Sequence, residues 1–124
     1  MNPKLEKIQE SYREWTKKSQ DLAKPAGQFM PGGDTRTTAH YLPYPAFMER
    51  GEGCQLFDAD GHTYVDFMNN FTSLILGHAH PKIVEAVSEQ VRRGSAFAAP
   101  TESQTQLAEM VCERVPSIEQ VRFC

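Results

Sequence analysis

What is scarce in this sequence narrows its possible roles first. No apolar run approaches the roughly 20 residues that a membrane-spanning helix requires, so no membrane partner is expected. Neither charge sign dominates: 13 basic residues stand against 16 acidic ones, a formal net charge of −3. Nucleic acid and anionic membranes both call for a basic surface, and neither is expected as a partner. Three cysteines, Cys54, Cys112 and Cys124, are odd in number and far apart. They form neither a disulfide framework nor a zinc spacing, and they fit a reducing cytoplasm. The polar opening, Met1 to Gln20, does not read as a secretory signal because it lacks an apolar core. Internal repeats and low-complexity tracts are absent as well.

What is present reads as a folded domain, with 40% hydrophobic and 23% charged residues. Asn2-Pro3 reads as an N-cap followed by proline at the first helical position. Leu5, Ile8, Tyr12 and Trp15 then form one apolar stripe at helical spacing. Leu22 extends the stripe, and Pro25-Ala26-Gly27 is expected to end the helix. Met30 to Pro45 has the composition of an irregular loop, the kind of segment that carries binding residues. The stretch Gly51 to Pro81 then organises the chain. Phe47-Met48-Glu49-Arg50 predicts a short strand leading into a hairpin. The hairpin runs Cys54 to Phe57, turns at Asp58-Ala59-Asp60-Gly61, and returns along Thr63 to Phe67. About three antiparallel strands follow from this pattern.

Pro81 opens a helix carrying Ile83, Val84, Val87 and Val91, with Arg92 and Arg93 in its last turn and Gly94 as its stop. Thr101-Glu102-Ser103-Gln104 has the form of a capping box before a second helix with Leu107, Met110, Val111 and Val115 on its apolar face. Pro116 closes that helix. Val121-Arg122-Phe123 reads as the opening of a buried strand, an ending that suggests part of a longer protein.

Several residues could carry chemistry. His78 and His80 would share one side of a strand, but two imidazoles without a third ligand give a weak metal signal. A tight connection whose imidazoles bond to backbone is the preferred reading, with His62 exposed on the hairpin turn. Asp58, Asp60 and Asp66 begin like a calcium loop, but position twelve is Asn69 rather than glutamate, so they read as turn formers. Lys82 lies at an exposed helix start, without the desolvation a Schiff-base lysine needs. Arg36 sits among threonines in the glycine- and proline-punctuated loop. Its guanidinium suits bidentate recognition of a carboxylate, although on the residues alone a solvated loop cation is the preferred reading. No catalytic set emerges from these residues.

Several short motifs follow one another at a familiar spacing. They are Met30-Pro31-Gly32-Gly33, Tyr44-Pro45, Gly51-Glu52-Gly53, Phe57-Asp58-Ala59-Asp60-Gly61, Tyr64-Val65-Asp66 and Ile75-Leu76-Gly77-His78-Ala79-His80-Pro81. Gly94, Ala99-Pro100-Thr101-Glu102, Leu107-Ala108-Glu109 and Cys112-Glu113-Arg114-Val115-Pro116 continue the series. Together they resemble the N-terminal part of class III pyridoxal-phosphate aminotransferases, in particular glutamate-1-semialdehyde 2,1-aminomutase and the β-amino-acid transaminases. The resemblance covers Gln28 to Cys124.

The resemblance implies an α/β fold, the N-terminal segment of a fold-type I pyridoxal-phosphate transferase: a helix, a small antiparallel β-meander, then two helices leading into the large-domain sheet. Residues 1–27 would be the N-terminal amphipathic helix, 28–80 the small-domain loop and meander, and 81–124 the helices and first strand entering the large domain. It further implies a homodimer acting on amino-acid and keto-acid substrates with pyridoxal 5'-phosphate. The phosphate cradle, the pyridine-nitrogen aspartate and the cofactor-binding lysine would all lie beyond Cys124. No catalytic, cofactor-binding or metal residue is therefore expected here, and the 124-residue chain alone is expected to be inactive.

Two substrate-binding residues carry over by the resemblance, Arg36 toward a carboxylate and Phe71 in the pocket wall. Ala98 to Thr101 would approach the partner subunit's site. Where the aminomutase continues Trp-Gly-Pro, this chain has Phe71-Thr72-Ser73, and its Asp34-Thr35-Arg36-Thr37 departs from the mutase's longer Asn-Ser-Pro-Val-Arg form. Both differences favour an amino-acid transaminase, with β-amino acids among its substrates, over the aminomutase. A non-catalytic dimerisation or binding module is the alternative of another class.

Overall fold

The computed structural model describes residues 2–35, 38 and 40–123. The chain divides into two compact units, Met1–Ile83 and Val84–Cys124. In the first, Asn2 caps helix α1, Pro3–Trp15, its side chain accepting from the Lys4 amide at 3.0 Å. The single helix expected from the apolar stripe is broken at Thr16, whose φ and ψ are −120° and 53°, and a second helix, α2, covers Lys17–Phe29.

The cause of the break lies far along the chain. The Asp60 carboxylate accepts from the amides of Lys18 (2.6 Å) and Ser19 (3.0 Å) and from the Ser19 hydroxyl (2.6 Å). It thereby takes over the free donors that begin a helix. Thr16 turns its hydroxyl back to the Tyr12 carbonyl at 2.6 Å and lies against the Tyr44 hydroxyl at 3.1 Å. Pro25 does not end the helix either. It lies inside α2, which runs four residues further to Phe29 and closes with the Met30 amide bonded to the Ala26 carbonyl.

A three-stranded antiparallel sheet in the order β1-β2-β3 follows, with β1 at Met48–Glu52, β2 at Gln55–Asp58 and β3 at Thr63–Val65. Gly51 pairs with Leu56 and Leu56 with Tyr64, and a register irregularity lies between Met48 and Arg50. The expected meander is therefore present. Arg50 lays its guanidinium over the Phe57 ring, 3.4 Å from its centroid, a cation–π contact on the open face of the sheet.

The joint between the helix pair and the sheet is small and polar. Thr16, Ser19 and Asp58 are fully buried there, and Tyr44 is the buried apolar side chain among the described residues. Ser19 also receives the Phe47 amide at 3.1 Å. His62 is half-buried, not exposed on its turn as expected. Its ring stacks 3.9 Å from that of Trp15 and bonds through Nδ1 to Asp58 Oδ2 at 2.8 Å.

In the second unit, which holds most of α3 (Pro81–Arg93), that helix stops at Gly94 with φ 101°, and α4 spans Glu102–Arg114. Both helices fall where the spacing places them. Thr101 has the extended backbone of an N-cap, yet its hydroxyl lies 3.4 Å from Ser103 Oγ and makes no cap bond, so the capping box does not form. Val121-Arg122-Phe123 is not a strand. A strand exists through its ladder, and this segment has no ladder partner among the described residues. The apolar faces of both helices, Val84, Val87 and Val91 on one and Leu107 and Met110 on the other, are exposed. No helix among the described residues is long and apolar enough to cross a membrane.

Candidate functional site

The site is built on the segment that leaves β3. Asp66 receives the amides of Met68 and Asn69 on Oδ1, each at 2.9 Å, and the Nε2 atom of His78 on Oδ2 at 2.7 Å. The Asn69 amide, then the His78 ring, hold the Asp66 carboxyl below the usual range. His78 is itself fixed. Its backbone exchanges two hydrogen bonds with Gly53, at 2.8 and 2.9 Å, and its ring packs so closely on Gly51 that a Cβ there would lie 2.5 Å from it.

The two histidines do not alternate on a strand as expected. Ala79 between them has φ 51°. Nor do their rings bond to backbone: His78 bonds Asp66, and the buried Nδ1 of His80 has no hydrogen-bond partner. Among the described residues no three of His, Cys, Asp and Glu gather into a metal-binding group.

From this clamp the chain enters one helical turn, Asn69–Thr72, with φ values of 48°, 44°, 56° and 71°. A left-handed helical turn costs L-residues about 1–2 kcal/mol each. Asparagine tolerates it best, whereas Phe71 and especially the β-branched Thr72 do not. Backbone strain of this kind gathers at functional sites. Phe71 stands on this turn with 56% of its surface exposed.

The first residue of the turn, Asn69, lines a cleft of about 480 Å³ together with Gly53, Cys54, Asp66, Phe67 and Leu74 to Gly77. A second cleft, about 400 Å³, lies between Met30, Gly33, Asp34 and Thr35 on one side and Pro45 to Met48 on the other. Arg36, the other sequence-predicted site residue, falls outside the described residues.

Asp58 is the buried counterpart of Asp66. At 1% exposure it receives the His62 amide on Oδ1 at 2.8 Å, and the His62 ring and the Tyr64 hydroxyl on Oδ2 at 2.8 and 2.7 Å. Burial pushes its carboxyl up, and the bonds from Tyr64 and His62 outweigh that and leave it lowered. Burial, then the bond to Asp58, raises the Tyr64 hydroxyl.

The profile of class III aminotransferases matches residues 37–124. The chain belongs to that family. A class III relative, the glutamate-1-semialdehyde 2,1-aminomutase of Methanothermobacter thermautotrophicus, is 45% identical over 106 residues, covering 86% of this chain and 25% of that protein. Two solved structures are also similar. The ω-transaminase from Sphaerobacter thermophilus is 51% identical with a TM-score of 0.79, over 82% of this chain and 23% of its own. The β-phenylalanine aminotransferase from Variovorax paradoxus is 36% identical with a TM-score of 0.89, over 97% and 28%. This class III chain thus spans about a quarter of the length of the proteins it matches.

Fold-type I is the architecture of these neighbours, and pyridoxal phosphate is the family's cofactor. Neither of the two clefts described above makes a cradle for that group. Neither is lined by a lysine or arginine among the described residues, and the carboxylate in the larger cleft, Asp66, is already committed to three donors. The residues that sequence reasoning missed are Asp66 and His78 as a pair. The signal was faint: an aspartate three positions before a polar turn, the pattern of a side chain capping its own backbone.

Proposed function

We propose that this class III chain is the substrate-facing N-terminal segment of an aminotransferase that moves an amino group between an amino acid, β-amino acids included, and a keto acid. The enzyme works as a homodimer in the cytoplasm. The cofactor supplies the electron sink, and the protein supplies orientation and electrostatics. Residues 1–27, 28–80 and 81–124 serve as the helical arm, the small-domain meander and the entry to the large domain. The 124 residues alone transfer no amino group. Arg36 binds the substrate carboxylate, and Phe71 forms part of the pocket wall.

The observation that carries this reading is the strained turn Asn69–Thr72, which leaves the Phe71 ring exposed and whose first residue, Asn69, lines the neighbouring cleft. It also bears on the choice within the family. Thr72 sits at φ 71°, where the glycine of the mutase-type Trp-Gly-Pro would be unstrained. A threonine and a serine in place of glycine and proline give the wall a different surface, which supports the transaminase. The aminomutase is kept as a second reading because the Methanothermobacter relative bears that name.

The test uses the protein from its complete reading frame, loaded with pyridoxal phosphate. It is incubated with α- and β-amino acids and a 2-oxo acid acceptor, and both products are measured. In parallel it is offered glutamate-1-semialdehyde. Keto product and new amino acid in equal amounts support the transaminase, and isomerisation alone supports the mutase. The absence of both activities would sink the reading. Arg36→Ala should raise KM for the amino donor about tenfold, the loss of one charge-assisted contact, and unchanged kinetics would remove its role.

A further inference from the structure

The turn that carries Phe71 is held from outside as well as from within. Its internal bonds are long: Thr72 N to Met68 O at 3.4 Å, Ser73 N to Asn70 O at 3.4 Å, and Leu74 N to Asn69 O at 3.2 Å. A local brace joins Ser73 Oγ to the Asn70 carbonyl and side chain at 2.9 Å. The short, charge-assisted bonds come from outside, on the two amides that feed the turn.

Those bonds have a continuous origin in the sheet. β1 and the Gly53 corner seat His78 through two backbone bonds and the close approach at Gly51. His78 Nε2 aims the Asp66 carboxylate. The Asp66 amide is tied in turn to the Cys54 carbonyl at 2.8 Å. Asp66 then fixes the amides of Met68 and Asn69, where the left-handed run begins.

We propose that Asp66 and His78 are positioning residues for substrate binding: the carboxylate, aimed by the imidazole, sets the left-handed turn and with it the direction of the Phe71 ring. This rests on the pocket role given to Phe71 above. Neither residue touches substrate. They act through the turn, and their loss should weaken binding while leaving the chemical step in place.

The experiment is a double-mutant cycle in the complete, cofactor-loaded protein. Phe71→Ala should raise KM for the amino donor about tenfold, in the range of a lost apolar pocket contact. Asp66→Ala should raise it by a similar factor with kcat little changed. The double variant should be no worse than Phe71→Ala alone, because a positioning residue has nothing left to position. His78→Gln, which keeps a donor near the place of Nε2, should stay close to the parent protein, whereas His78→Leu should follow Asp66→Ala. Amide hydrogen exchange at Met68 and Asn69, read without substrate, should quicken in Asp66→Ala and not in Phe71→Ala.

If the double variant multiplies the two single effects, or exchange at those amides is unchanged, the positioning role is wrong while the pocket role stands. If Phe71→Ala itself leaves KM unchanged, the pocket role falls and the positioning role with it. Should Asp66→Ala fail to fold, His78→Leu carries the same comparison, and Asp66→Asn, which keeps Oδ1 as the acceptor for both amides, should keep their slow exchange.

Discussion

Replacing Asp58 with alanine should cost more stability than any other single change at the joint between helices and sheet. The carboxylate is fully buried and takes three donors, the His62 amide, the His62 ring and the Tyr64 hydroxyl, all within 2.8 Å. Hydrogen bonds to a charged group contribute about 1.5–3 kcal/mol each, and removing one partner of a buried charged cluster costs about 3–5 kcal/mol. His62 and Tyr64 are half-buried, so water can reach part of what is left behind. The expected loss for Asp58→Ala is therefore at the low end, about 3 kcal/mol. Asp58→Asn keeps the shape and one acceptor, and should lose about 1–2 kcal/mol. Urea unfolding followed by circular dichroism, with the thermal midpoint as a second measure, gives both values. Against a total stability of about 5–15 kcal/mol the alanine variant should be visibly weakened. A change below about 1 kcal/mol would refute the reasoning, because it would mean that the donors find equal partners without the carboxylate.

Acid should act on the same groups. Asp58, Asp60 and Asp66 all have lowered carboxyls, so each contributes stability that is full above the unfolded value of about 3.9 and is lost as the pH falls through the lower folded value. The melting temperature should be flat near neutrality and drop below about pH 4, less steeply in Asp58→Asn. Asp60→Ala removes the cap of α2 and should cost about 1–2 kcal/mol. Trypsin cleavage at Lys17 and Lys18 should speed up, and an unchanged digest would deny that Asp60 holds this end. Gly77→Ala puts a Cβ 2.6 Å from the Gly53 carbonyl at φ 75°. It should cost about 1–3 kcal/mol, and a melting temperature equal to that of the parent chain would show that the bridge can move aside.

The parts of the fold that were legible in the sequence are those decided locally. The meander is set by turn residues and short β-rich runs, and α3 and α4 by helical spacing and their glycine and proline stops. The misses share a different origin. The stripe from Leu5 to Trp15 gives no warning of the break at Thr16, because the group that causes it is Asp60, 42 residues from Lys18. His62 looked exposed because nothing nearby in sequence shows Trp15 closing over it. The aspartates looked like turn formers, which they are, but their second oxygens also hold ring groups beyond the turn, Tyr64 on the next strand and His78 after it. Phe71 was named through the family resemblance. Its left-handed setting was not legible, since Asn69-Asn70 permits such a turn but Phe71-Thr72 argues against one. Thr101 shows the converse, a sequence signal for a cap whose hydroxyl found Ser103 instead.

The Trp15–His62 stack has one more use. Trp15 is the only tryptophan in the chain, and it sits at the end of α1 with its ring 3.9 Å from an imidazole of the hairpin. Its fluorescence therefore comes from a single place, the seam between the first helix and the sheet. A shift in emission reports that seam opening, even while the meander and the later helices keep their circular dichroism. The protein carries an optical gauge of whether its N-terminal arm is seated, and no label has to be added to read it.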